Sequence, residues 1–145
     1  MGARNDLEAR IELDLQGING VSPYDMTVLE VTRDAKAMRV MRRPGIFLET
    51  GITVPSIALN LSGARLRVSA HLLIEANNDY EAARLIEQFE KNVTIAMIGA
   101  ANRTHGGLCH ATFRVASRPR PTAQMKTQYE RLDFECVYYS EASAP

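Results

Sequence analysis

The stretch from Arg65 to Val93, RLRVSAHLLIEANNDYEAARLIEQFEKNV, changes its hydrophobic period once. Its first twelve residues alternate between apolar and polar, which predicts a strand with one face toward a core. After Asn78 an apolar residue recurs every three or four positions, which predicts an amphipathic helix. Asn78 is followed three residues later by Glu81, and this spacing is typical of a capping box at a helix start. The stretch therefore predicts a strand, a turn and a long helix that ends near Gly99.

Both halves of this stretch predict core residues. One face of the strand is apolar, and the other carries charged and polar side chains with Leu73 as the exception. His71 lies on that polar face, so we expect it to be solvated or at an interface. The predicted core positions are Leu66, Val68, Ala70, Leu72, Ile74 and Ala76 on the strand and Ala82, Ile86, Phe89, Val93 and Met97 on the helix.

The residues before this stretch predict a short helix followed by strands. Residues 5–18 fit a helical stripe and an alternating strand equally well. We favour a helix, because Asn5 or Asp6 can cap it and acidic residues occupy its first turns. The predicted strands of this half are 26–32, 46–50 and 52–61.

Two further strands follow the long helix. The first, at 110–117, alternates so that Ala111, Phe113 and Val115 are predicted to point inward. The second, at 129–139, is the clearest late strand of the chain. Its predicted inward residues are Leu132, Phe134, Cys136 and Tyr138.

This order of elements predicts an α+β fold. Consecutive strands can pair as antiparallel neighbours, so we expect a mostly antiparallel or mixed sheet. One long helix should pack on one face of that sheet, beside a shorter N-terminal helix. A chain of 145 residues suits one domain, which we place at 1–139, with 140–145 as a flexible tail.

The cysteine and histidine residues do not form a recognisable catalytic or metal-binding motif. His105, Cys109 and His110 lie within six residues, one ligand short of a structural zinc site. Cys109 with His105 could form a nucleophile and base, but a third, orienting group is missing from the sequence. We therefore predict no catalytic residue, no metal and no cofactor, and two reduced thiols at Cys109 and Cys136.

The charges balance in total but are segregated along the chain. Lys plus Arg and Asp plus Glu each number 17. Residues 33–43 are basic, and no acid occurs between Glu90 and Glu130. Such a pattern predicts contact with acidic patches of an identical neighbour, or with a polyanion. The candidate interface residues are Arg114, Arg118, Arg120 and Lys126.

The strand followed by DYEAA and a long helix, together with the strand YERLDFECVYY, resembles the tail terminator proteins of long-tailed bacteriophages. Neck or tail-completion proteins of prophages and gene transfer agents belong to the same group. The resemblance covers about residues 65–139. Residues 46–64, around IFLETGITVPSIALNLSGA, depart from the family pattern.

The resemblance implies a structural virion protein without catalytic activity. It would form a homo-oligomeric ring, commonly a hexamer, that caps the tail tube and joins it to the head–neck connector. Its expected partners are other copies of itself, the tail tube protein, the connector or stopper protein and, non-specifically, the DNA that passes through the ring. The expected location is the virion, after synthesis in the host cytoplasm. No apolar run of the sequence approaches the roughly 18 residues that span a bilayer, so we expect no membrane partner.

Other functions remain open at this point. The chain could be another head–tail connector or a tail tube component. It could also be a small nucleic-acid-binding α+β module that uses the arginines of residues 114–126. An RNA-binding sheet presents exposed aromatic side chains, so the predicted inward orientation of Phe113 and Phe134 argues against that alternative.

Overall fold

The structure, a computed structural model, describes residues 3–38, 40–51, 54–58, 61–99, 102–115 and 129–140. The helices are α1 (Ala3–Gln16) and α2 (Asp79–Ile98), with a short 3-10 helix at Ala35–Ala37. The strands are β1 (Glu30–Thr32), β2 (Gly45–Thr50), β3 (Val54–Ala58), β4 (Leu61–Leu73), β5 (Ala111–Val115) and β6 (Tyr129–Ser140). Residues 141–145, predicted to be a flexible tail, lie outside the described residues.

The six described strands form one mixed sheet in the order β1-β2-β4-β6-β5. Strand β3 pairs with the first part of β4, and β2 pairs with its last part. Strand β6 pairs with the other edge of β4 over twelve residue pairs. Every pairing is antiparallel except that of β1 with β2. The α+β prediction, with a long helix and a shorter N-terminal helix, is confirmed.

The main core lies between one face of the sheet and the two helices. We call this the inner face of the sheet. Leu66 on β4 stands opposite Cys136 on β6, and Val68 stands opposite Phe134, so the predicted inward residues of both strands share this face. Phe89 of α2 is fully buried in the same cluster. Burying apolar surface of this kind supplies most of the favourable free energy of folding.

Helix α1 contributes a complete apolar stripe to the core, as its helical period requires. The helix begins at Ala3, so Asn5 and Asp6 lie within it and do not cap it as predicted. The ambiguity between helix and strand is resolved in favour of the helix. Its stripe and the next turn place four fully buried residues in the core, namely Leu7, Ile11, Leu15 and Ile18.

Helix α2 begins and ends as the sequence predicts. The Asn78 side chain accepts a hydrogen bond from the Glu81 N–H at 2.8 Å. The Glu81 carboxylate in turn accepts one from the Asn77 N–H at 3.3 Å. These two bonds satisfy backbone donors that a helix start otherwise leaves unpaired. Gly99 directly follows the last helical residue.

The opposite face of the sheet, which we call the outer face, is covered at one end. Met41, Phe47 and Leu73 form a second small apolar cluster, and Tyr129 packs against it. This cluster explains why Leu73 breaks the polar pattern of β4. His71 lies beside it and is 4% exposed, so the prediction of a solvated or interfacial histidine is wrong. Its ring contacts Phe47 and Tyr129, and Nε2 lies 3.1 Å from Glu49 Oε1.

The side chains of strand β5 point to the opposite faces of the sheet from those predicted. Thr112 is buried and stands opposite Cys136 on the inner face. Phe113, predicted to point inward, stands opposite Glu135 on the outer face and is 55% exposed. The hydroxyl of Thr112 donates to the Arg103 carbonyl at 2.9 Å, and this bond removes the cost of burying it.

Asp25 joins the loop before β1 to helix α2 through hydrogen bonds. Its carboxylate accepts hydrogen bonds from the Asn92 and Lys91 side chains, and its N–H donates to Asn92 Oδ1 at 3.0 Å. Gln88 adds a bond to the Asp25 carbonyl. The Asn92 amide and the Lys91 ammonium lower the pKa of Asp25 to about 2, because they stabilise the charged form.

We predict that Phe89→Ala destabilises the protein by about 3–5 kcal/mol, because it leaves a cavity in a closely packed core. Chemical denaturation measures the change. Glu87→Ala is the matched control, because Glu87 is exposed on the same helix. An unfolding free energy that Phe89→Ala leaves unchanged would show that this helix face does not pack on the sheet.

We predict that acid weakens the attachment made by Asp25. Its pKa is about 2 in the folded state and about 3.9 in an unfolded chain, so its contribution is complete above about pH 4 and is lost as the pH falls toward 2. Urea unfolding across this range compares the wild type with Asp25→Asn. The difference in unfolding free energy should shrink below pH 4, and a constant difference would contradict the prediction.

Candidate interaction surface

The outer face of the sheet presents rows of side chains that cross β4, β6 and β5. In one row Arg67 stands opposite Glu135, which stands opposite Phe113. In the next row Ser69 stands opposite Asp133, which stands opposite Val115. The rows follow from the register, because residues that face each other in an antiparallel pair point to the same side of a sheet.

Ion pairs connect the strands along these rows. Arg67 lies 3.3 Å from one carboxylate oxygen of Glu135, and Arg65 lies 3.6 Å from the other. The Ser69 hydroxyl donates to Asp133 at 2.7 Å. Both arginine side chains are more than half exposed, whereas Glu135 is 22% exposed. The guanidinium groups therefore remain accessible to a partner while they hold the carboxylate.

Phe113 adds an exposed aromatic ring to this charged surface. It lies on β5, the outermost described strand on one side of the sheet. Tyr and Phe side chains together with arginine are enriched at protein interfaces, because they offer large contact area and several hydrogen bonds. We call Arg65, Arg67, Phe113 and Glu135 the outer-face patch.

The predicted interface residue Arg114 points to the other side of the sheet. Its guanidinium lies 2.7 Å from Glu90 Oε1, so β5 is connected to α2 by this pair. Arg114 therefore has a carboxylate partner within its own chain, although the two residues are far apart in sequence. The other three candidates, Arg118, Arg120 and Lys126, lie outside the described residues.

Other basic residues from the acid-poor segments also form ion pairs with acidic residues of the same chain. Arg33 of the basic segment lies 3.4 Å from Glu8 and 2.9 Å from Glu12, both on α1. Lys91 lies 3.0 Å from Asp25. The charge segregation along the sequence is thus partly neutralised in the fold, and it is weaker evidence for a neighbouring copy than the sequence alone indicates.

The histidine of the HGGLC segment, which belongs to the loop 102–110, is buried against helix α1. His105 is fully buried, and its Nδ1 lies 2.6 Å from Asp14 Oδ2 on α1. Arg10 also pairs with Asp14, at 3.1 Å. His105 Nε2 has no hydrogen-bond partner among the described residues. His105 has a positive φ of 45°, an uncommon conformation for a residue other than glycine.

Both cysteine side chains approach Thr112. Cys109 Sγ lies 3.6 Å and Cys136 Sγ 3.5 Å from the same Thr112 hydroxyl oxygen. Cys109 Sγ also lies 3.5 Å from the Arg103 carbonyl oxygen. Contact with the Cys136 thiol lowers the pKa of Cys109, against the opposing effect of burial. The same contact and burial raise the pKa of Cys136.

His105, Cys109, Thr112 and Cys136, together with Asp14, form the buried polar cluster of the fold. Two of its residues were not identified from the sequence. Asp14 supplies the orienting carboxylate that the sequence lacks near His105, but it lies 91 positions away. Thr112 was assigned to the wrong face of β5. No hydrogen bond between Cys109 and His105 occurs among the described residues, and no group of three or more His, Cys, Asp or Glu side chains there could hold a metal ion.

No family model matches this chain, and no curated protein matches it. Within the described part of the chain, no helix combines the length and apolar character needed to cross a membrane.

We predict that Arg114 and Glu90 stabilise the fold by about 1 kcal/mol or less, because both side chains are partly exposed to water. A double-mutant cycle with Arg114→Ala and Glu90→Ala measures their coupling free energy. The coupling should decrease as salt is added. A salt-independent coupling well above 1 kcal/mol would mean that the pair is an essential link between β5 and α2.

Proposed function

We propose that this protein is a phage tail terminator, a non-enzymatic ring that caps the tail tube and joins it to the head–neck connector. The proposal rests on the resemblance of residues 65–139 and on one observation, the outer-face patch. A sheet of which one face is covered by helices and the other carries accessible arginines and an exposed phenylalanine is suited to protein contact. The ring order we expect is six.

The composition of the patch favours another copy of this chain as its partner. Arg65 and Arg67 offer guanidinium donors, and Glu135 offers a carboxylate, so the same surface holds both signs of charge. Exposed ion pairs contribute little to folding, so a neighbouring subunit can take over one member at small cost. Phe113 would supply the apolar contact that such a charged surface needs for affinity.

The geometry around the thiols also supports a non-enzymatic role. His105 Nε2, the nitrogen left over from the Asp14 contact, makes no hydrogen bond to Cys109 among the described residues, and Cys109 Sγ instead contacts a carbonyl and a hydroxyl. A catalytic thiol needs a base within hydrogen-bond reach and access for a substrate. Cys136 is fully buried and Cys109 is 6% exposed, so a substrate carbonyl has little room to approach.

The test is the oligomeric state of the purified protein and of two aromatic variants. Wild type should give rings by mass photometry and negative-stain microscopy. Phe113→Ala should abolish rings or reduce them severely, because the apolar contact is lost. Tyr80→Ala is the matched control: Tyr80 is 82% exposed on α2 and is not part of the outer-face patch, so its removal should leave the rings unchanged.

Circular dichroism and a thermal melt establish that Phe113→Ala remains folded, which its exposure leads us to expect. Rings that persist in Phe113→Ala would refute the patch as the subunit contact. A strictly monomeric wild type at high protein concentration would refute the ring itself. Capping of purified tail tubes by wild type then separates a terminator from other connector or tube components.

A nucleic-acid-binding role has one observation in its favour. The exposed Phe113 lies in the row of Arg67, and this pair could stack on a base and contact a phosphate. Glu135 and Asp133 on the same face oppose it, because carboxylates repel phosphates. Fluorescence anisotropy with single-stranded RNA and DNA at low salt decides between the two. Tight binding that Phe113→Ala abolishes would favour this function over the ring.

A further inference from the structure

The two thiols of this chain are distant in sequence but adjacent in the fold. Cys109 lies in the turn before β5, and Cys136 lies on β6. Thr112 is the direct partner of Cys136 in the β5–β6 ladder, and its hydroxyl contacts both sulfurs. The His110 N–H donates to the Val137 carbonyl at 2.6 Å, which holds the end of the turn against β6 directly after Cys109.

We propose that Cys109 and Cys136 are a redox-sensitive dithiol, which a peroxide converts to an intrachain disulfide that ties the loop 102–110 to β6. Both sulfurs lie within 3.6 Å of the same Thr112 hydroxyl oxygen, and backbone bonds from His110 onward hold the turn against β6. The dithiol would respond to oxidants whether or not the protein forms a ring.

Cys109 is the thiol that reacts first. It is the more accessible of the two, at 6% exposed, whereas Cys136 is fully buried. The neighbouring Cys136 thiol lowers the pKa of Cys109, which favours the thiolate, and the thiolate is the nucleophilic form. Cys136, whose pKa is raised, retains its proton and serves as the resolving thiol.

The chemistry takes two steps and balances with hydrogen peroxide as the oxidant. The Cys109 thiolate attacks one peroxide oxygen, an S–O bond forms, the O–O bond breaks, and hydroxide leaves and takes up a proton to give water. The Cys136 sulfur then attacks Cys109 Sγ and loses its proton. The S–S bond forms, the S–O bond breaks, and a second water leaves. Two electrons pass from the sulfurs to the peroxide.

The experiment treats the folded full-length protein with hydrogen peroxide, blocks remaining thiols with N-ethylmaleimide, and maps peptides without reduction. Wild type should lose two hydrogen atoms by intact mass and give a peptide pair that links Cys109 to Cys136. Cys109→Ser and Cys136→Ser should each give no such link. Reduction with dithiothreitol should restore the original mass.

Two outcomes would overturn the proposal. One is oxidation of Cys109 to sulfinic acid in wild type without any cross-link, which would show that Cys136 cannot reach it. The other is a link that forms at the same rate in protein unfolded by urea, which would show that the fold does not bring the sulfurs together. Thermal melts of the two serine variants establish that they are folded.

The pH dependence of the first step provides an independent check. The rate of Cys109 oxidation by hydrogen peroxide should reach half its maximum at a lower pH in wild type than in Cys136→Ala. Removing the Cys136 thiol takes away the contact that stabilises the Cys109 thiolate, so the midpoint should rise. The same midpoint in both proteins would show that Cys136 does not contact the Cys109 thiolate, and would contradict the proposal.

Discussion

The antiparallel pairing of β4 with β6 is the constraint on which the rest of the molecule depends. Twelve residue pairs fix this register. A slip of one residue would turn Leu66 toward the solvent and Arg67 toward the helices, so burial of the inner face selects one alignment. The same register determines the rows on the outer face, because it places Arg67 opposite Glu135. Core and candidate interface are therefore two consequences of one alignment.

Long elements with a strong period were predictable, because each residue in them repeats the same signal. The predicted stripe of α2 is buried, and the alternation of β4 and β6 gives the inner face as predicted. The capping box at Asn78 was also predictable, because it depends on local spacing and not on tertiary contacts. These elements account for the fold class.

The errors fall where a tertiary contact overrides a local pattern. Strand β5 has five residues, so its alternation offers too few positions to identify the inner face. Thr112 is buried because the Arg103 carbonyl accepts its proton, and no property of the sequence around it shows that partner. His71 is buried because Phe47 on β2 and Tyr129 on β6 pack against its ring, and Tyr129 lies 58 positions away in the sequence. The contact of Asp14 with His105 spans 91 positions.

Two polar regions among the described residues differ in what they can bind. On the outer face the ion pairs of Arg65 and Arg67 with Glu135 are exposed, so exchanging one partner for another costs little. In the buried cluster Thr112, Cys109 and His105 are held by carbonyl, hydroxyl and carboxylate groups, and a large ligand could enter only if the loop 102–110 opened. A reagent as small as a peroxide needs far less room. The proposed protein contact and the proposed redox-sensitive dithiol therefore lie on opposite faces of the sheet, and a change in one region should leave the other intact.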